Sequence, residues 1–213
     1  MVQQQPQEKK NTKLTLLLAG TAVMTRKSYN GAGLTEILAE AGVPKGSFYH
    51  HFQSKEDFGV QIVEHHALES GQVLKNYFQD STLTPVNRIK SWFQYIQEHY
   101  QENGPQHQCL IAKLALELST LSAPMHTAVK FAYDHWTMIF AEVLKEAQAC
   151  REIPNHIGAE KLAMHIVNGW QGVTIRMQID ESLEPLDNYL DVLFTVIFQQ
   201  PIPQTTTTTT LHH

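Results

Sequence analysis

Residues 33–58, GLTEILAEAGVPKGSFYHHFQSKEDF, decide how this chain folds. Leu34, Ile37 and Leu38 recur at helical spacing with Glu36 and Glu40 on the other side, so a short amphipathic helix begins near Thr35. Ala41-Gly42 stops it, because glycine accepts the left-handed conformation that helix C-termini often need. Pro44 restarts a helix at its first position, where a missing N–H costs nothing. The spacing predicts a second helix from Pro44 to about Phe52 that buries Phe48 and Phe52 and leaves Lys45 and Tyr49 on the opposite side, with Gly46, Ser47 and His50 beside them. Ser54 followed by Glu56-Asp57 reads as the cap and first turn of a third helix.

Two short helices around a glycine-containing turn, the second presenting small, polar and aromatic groups, make a helix-turn-helix pattern. Gly46 and Ser47 let the backbone approach a groove floor or a phosphate, while Lys45, Tyr49, His50 and Lys55 supply donors for phosphates and base edges. The same spacing also suits a plain helical hairpin with a solvated polar face. Val43 to His50, then Phe52, Ser54-Lys55-Glu56 and Phe58, resembles the DNA-binding domain of TetR-type bacterial transcriptional regulators. That resemblance implies a double-stranded DNA operator as partner, with Thr35, Lys45, Ser47, Tyr49, His50 and Lys55 at its surface.

Charge is distributed to match. The 213-residue chain carries −5 overall, yet residues 9–60 hold seven Lys/Arg against four Asp/Glu, leaving the excess of acid in the remainder. A basic head on an acidic body docks on phosphates with one end only. Two cysteines make no disulfide framework, and the Gln-rich start has no apolar leader segment. Leu14 to Met24 is too short and Thr-rich to span a bilayer. The expected location is the cytoplasm, away from any membrane.

The rest reads as helix throughout, so the expected fold class is all-α: a three-helix head over residues 9–54, a larger regulatory and dimerisation domain over 55–200, and a flexible tail over 201–213. A first helix spans Asn11 to about Lys27. The turn at Ser28-Tyr29-Asn30-Gly31 follows, and where the resembled family commonly has glycine this chain has Ser28, so Asn30-Gly31 is expected to absorb the bend. A helix from Ser54 to about Asp80 links head to body. Further helices start at Pro85, Cys109, Ala123-Pro124, Ile157 and Pro185, the 109–119 segment apolar nearly all round and therefore central. Small residues Gly169, Gly172 and Thr174 in the penultimate helix suit either intrachain packing or close approach of a second chain. The TetR resemblance favours a homodimer through the last two helices and hence a near-palindromic operator.

Cys109 is the reactive candidate in the body. It sits after Gly104-Pro105 at a helix start, where unpaired N–H groups favour a thiolate, with Lys113 one turn on and His107 close in sequence. The alternative is a buried structural cysteine. Cys109-Leu110, Lys113-Leu114, Glu117 and Glu184-Pro185-Leu186 resemble the TetR-type repressors that sense N-ethylmaleimide, quinones and related electrophiles, which implies Cys109 as the sensor. Gln108 departs from the glycine usual before that cysteine. Twelve histidines show no metal-ligand spacing, and no Ser/His/Asp arrangement or phosphate-cradling loop appears, so neither metal, cofactor nor catalysis is expected. The expected function is a repressor released by a small-molecule effector, an electrophile or oxidant reacting at Cys109. The alternatives are a TetR-type repressor with a non-covalent pocket, or a helical enzyme or interaction module.

Overall fold

The computed structural model describes residues 6–105, 109–118 and 122–199, with side chains described from residue 12 onward. Among them every regular element is helical: α1 (Pro6–Gly31), α2 (Leu34–Ala41), α3 (Lys45–Phe48), α4 (Lys55–Phe78), α5 (Pro85–Asn103), α6 (Leu110–Leu118), α7 (Ala123–Ala149), α8 (Ala159–Asp180) and α9 (Glu184–Asp191), the last continuing as a π-helical turn over Val192–Ile197. His107 and the 201–213 tail lie outside the described residues.

Local chemistry accounts for most boundaries. Gly42 ends α2 in the left-handed region at φ 63°, with its N–H on the Ala39 carbonyl. The Ser54 side chain caps α4 by accepting from the Asp57 N–H at 3.0 Å, while the Asp57 carboxylate accepts from the Gln53 N–H at 2.8 Å. Pro85 occupies the first turn of α5.

Three expectations change. The second helix of the reading motif is shorter than Pro44 to Phe52: Pro44 is its N-cap, α3 ends at Phe48, and turns carry the chain to Phe52. Gly46 weakens the helix, and the His50 and His51 N–H groups bond back three residues rather than four. The bend falls inside α1, on Ser28 at φ 64° and ψ 175°, instead of on Asn30-Gly31. That conformation belongs almost wholly to glycine, so Ser28 holds backbone strain. The 109–119 segment is amphipathic in place, with Leu110, Ile111, Leu114 and Leu118 buried and Leu116 80% exposed.

Two buried clusters stack along the molecule. One joins the head to α6 and the first halves of α4 and α7, around Phe48, Phe52, Phe58, Ile62, Ile111 and Met125. The Phe48, Phe52 and Phe58 rings meet at centroid distances of 4.7–5.2 Å. The other joins α5, α8 and α9 to the second halves of α4 and α7, around Phe78, Phe93, Phe140 and Ile166. The neighbours Gly59/Met125, Ser70/Trp136 and Phe78/Phe140 rise together, so α4 and α7 run parallel through both clusters. Gly20 permits the α1–α4 crossing, since a Cβ there would lie 2.4 Å from Phe58 Cζ.

Candidate nucleic-acid interface and effector cavity

The exposed side of α3 carries the donors that its sequence suggested. Lys45, Gly46, Tyr49 and His50 are exposed, Ser47 is half-buried, and Thr35 is exposed in the first turn of α2. Phe48 anchors this face from beneath: it is fully buried, and the Tyr49 ring, 56% exposed, meets it edge-on at 5.3 Å. A Cβ at Gly46 would meet nothing within 4 Å, so another molecule's backbone can approach. Three other cations of the head are occupied. Arg26 pairs with Glu40 at 3.1 Å and Lys27 with Glu36 at 2.9 Å. Lys55 is turned inward: its Nζ donates to the Tyr29 carbonyl at 2.7 Å and lies 4.5 Å from the centre of the Tyr29 ring. Burial pulls its pKa down.

In the body, α4, α5, α7 and α8 line a cavity of about 300 Å³, partly open to solvent, with Cys109 on its wall at the threshold of α6. Trp92, Trp136, Trp170, Phe93 and Tyr100 supply aromatic walls, and Ser70, His66, His99 and Gln171 supply polar atoms. No Lys, Arg, Asp or Glu is among the described lining residues. The Trp136 indole N–H donates to Ser70 Oγ at 3.0 Å, fixing that ring. Tyr95 joins the lining as well, whereas Phe131 and Met138 are surface residues.

The thiol differs from its expectation. Burial pushes the Cys109 pKa up, against the opposing pull of the Ile111 and Ala112 backbone N–H groups and of the Gln171 side chain. The helix-start contribution is therefore present and outweighed. Lys113 does not supply the expected neighbouring charge, because its Nζ donates to the Thr25 carbonyl of α1 at 2.9 Å. Burial likewise raises Tyr133, up to about 12, and Tyr100, each with Cys109 as the second cause.

Helix α6 thus touches both places. Its first turn borders the cavity, and its far end grips the head: Glu117 Oε2 accepts from the Tyr29 N–H at 2.9 Å and Oε1 from the Asn30 N–H at 2.8 Å. Those N–H groups follow the strained Ser28 and would otherwise begin a helical turn uncapped. Sequence reading singled out Lys113 by its spacing from Cys109 and Glu117 only by resemblance, and it passed over Gln171, whose amide interrupts the apolar run of α8.

Residues 16–59 match the family described as bacterial regulatory proteins, tetR family, and residues 85–191 match the C-terminal domain of LmrA/YxaF-like transcriptional regulators. The chain belongs to the TetR family. It is 34% identical over 190 residues to the transcriptional repressor DhaR of a Mycobacterium species, covering 89% of this chain and 92% of that one. To the repressor NemR of Escherichia coli it is 30% identical over 180 residues, covering 84% and 90%. The crystal structure of reduced Escherichia coli NemR superposes with a TM-score of 0.83 at 29% identity, over 90% of this chain and all of that one. A regulatory protein TetR from Rhodobacter sphaeroides gives 0.78 at 31%, over 84% and 95%. This TetR-family chain is therefore a transcriptional repressor rather than an enzyme. Regulators of its family bind DNA operators as dimers and respond to ligand effectors. None of the helices among its described residues is long and apolar enough to cross a membrane, and those residues contain no group of three or more potential metal ligands.

Proposed function

We propose that this repressor leaves its operator when an electrophile reacts with Cys109. The observation that carries the reading is the position of α6, which borders the cavity at Cys109 and holds Thr25, Tyr29 and Asn30 of the head through Lys113 and Glu117. An adduct on Cys109 adds volume where α6 begins, and a packed helix relieves such crowding by shifting as a unit. A shift at Glu117 releases or redirects the Tyr29–Asn30 turn, which leads directly into α2 and α3. The likeness to NemR supports a reactive effector over an inert one.

Operator contact is assigned to Thr35, Lys45, Gly46, Ser47, Tyr49 and His50. Lys55, with its ammonium on Tyr29, joins them only if DNA draws it outward. The operator is near-palindromic, read by a cytoplasmic homodimer paired through α8 and α9. The head covers residues 9–54, the sensing and dimerisation domain 55–200. Exposed Met164, Ile175, Ile179, Val192 and Val196 give α8 and the chain after α9 an apolar face suited to that pairing. Gly172 opens onto free space, whereas Gly169 is used within the chain, a Cβ there lying 2.7 Å from Tyr189 Cε2.

The test measures operator affinity with and without N-ethylmaleimide. Cys109→Ser is expected to bind DNA as wild type does and to ignore the reagent. Release of Cys109→Ser at the wild-type dose overturns the sensor assignment in favour of a ligand held non-covalently, a second reading that the raised thiol pKa and the aromatic-lined cavity also favour.

A further inference from the structure

Gln171 carries an unspent recognition group. Both its Nε2 and its Oε1 are fully buried, and neither has a hydrogen-bond partner among the described residues. The side chain lines the same cavity as Cys109 and lies close enough to that thiol to ease it toward its anion. A buried amide without a partner among the described residues is costly to keep, so its presence among tryptophans leaves both of its polar atoms available to a guest.

The surroundings define that partner's chemistry. The described walls hold no Lys, Arg, Asp or Glu, so a charged molecule entering would lose its hydration without an opposite charge in return. The walls are mostly flat rings, Trp92, Trp136, Trp170 and Tyr100, which favour a planar guest. A volume of about 300 Å³ admits on the order of ten water-sized heavy atoms.

We infer that Gln171 is the docking residue for the effector: its amide N–H takes the carbonyl oxygen of a compact, uncharged α,β-unsaturated carbonyl compound and holds the β-carbon against the Cys109 sulfur. This rests on the sensor reading above and adds to it the residue that positions the guest. The Cys109 sulfur forms a bond to the β-carbon while the C=C π pair moves toward the carbonyl oxygen, where the Gln171 N–H steadies the developing negative charge. The thiol proton ends on the α-carbon when the enol returns to the ketone. No oxidant or reductant takes part. Gln171 is a positioning and specificity residue in this step.

The experiment uses the full chain and two neutral reagents of similar size, methyl vinyl ketone and allyl bromide, of which only the first carries a carbonyl. Adduct formation at Cys109 is followed by peptide mass spectrometry and divided by that at the exposed Cys150, which corrects each reagent for intrinsic reactivity. In wild type the Cys109/Cys150 ratio should favour methyl vinyl ketone over allyl bromide by roughly tenfold or more. Gln171→Met and Gln171→Leu, each still binding operator DNA, should erase that preference while leaving allyl bromide within about twofold. Retention of the preference in both variants, or its absence from wild type, overturns the proposal; Gln171 then holds a buried water at most. If adducts form and release DNA without any preference, only this inference falls. If neither reagent modifies Cys109 in wild type, the sensor reading falls with it.

Discussion

Replacing Glu117 by alanine tests how the body holds the head. Its two carboxylate oxygens accept the Tyr29 and Asn30 N–H groups at 2.9 and 2.8 Å, and its charge also supports the nearby Lys55 ammonium. A charge-assisted hydrogen bond contributes about 1.5–3 kcal/mol when sheltered and less in water. The Tyr29 bond is part-buried and the Asn30 bond exposed, so the pair should be worth about 2–3 kcal/mol. Urea unfolding of Glu117→Ala should report a loss of that size, and Glu117→Gln, with a single neutral acceptor oxygen, about half of it. The same variants separate holding from signalling. Once the clasp is gone, movement of α6 no longer reaches the turn before α2, so Glu117→Ala should keep measurable operator affinity by fluorescence anisotropy but release DNA incompletely after N-ethylmaleimide modifies Cys109. A variant as stable as wild type, or one released at the wild-type dose, refutes the coupling through Glu117.

Ser28→Gly should stabilise the fold by about 0.5–2 kcal/mol in the same urea assay, the relief of a glycine-only conformation exceeding the added chain entropy. Gly20→Ala should destabilise by about 1–3 kcal/mol, because its Cβ would stand 2.4 Å from Phe58 Cζ and 2.6 Å from Ile62 Cδ1; thermal melting against wild type checks it. In a Cys150→Ser background, N-ethylmaleimide addition at Cys109 should climb about tenfold per pH unit and show no plateau by pH 9, since burial lifts the thiol above its ordinary 9.0. The sign for stability follows from proton binding: above about pH 9 the unfolded chain loses this proton while the folded chain keeps it, so stability falls as pH rises there.

What the sequence made legible is short-range. Gly42, Pro85 and the Ser54 cap act within one turn of themselves, and the structure has each where its chemistry puts it. Phe48 and Phe52 are both buried as expected, although Phe52 lies beyond the end of α3. The directions of long polar side chains were not legible, because they depend on what lies across the fold. Lys113 and Lys55 both looked like free cations; one caps the end of α1 through Thr25 and the other holds Tyr29. Ser28 was misjudged for a related reason: local preference favours Asn30-Gly31 for a bend, and only the bidentate grip of Glu117, nearly ninety residues away, makes the strained alternative tenable. Gln171 gave no pattern at all, one amide in an apolar stripe, until its neighbours were known.

The departures from local preference fall along one line. At one end Ser28 is held in a conformation costing about 1–3 kcal/mol, and at the other Gln171 keeps a buried amide unpaired at a similar cost of about 1–3 kcal/mol. Helix α6 lies between them, with Cys109 facing the unpaired amide and Glu117 gripping the strained turn. A structure optimised only for stability would remove both costs with a glycine and an apolar side chain. Coupling free energies between effector and DNA sites are typically about 1–3 kcal/mol, the same size as each of these costs. An effector that satisfies Gln171 changes the balance at one end by about as much as release of Ser28 changes it at the other. Strain placed at both ends of a single short helix keeps two arrangements close in free energy, and a bond formed at Cys109 needs only to choose between them.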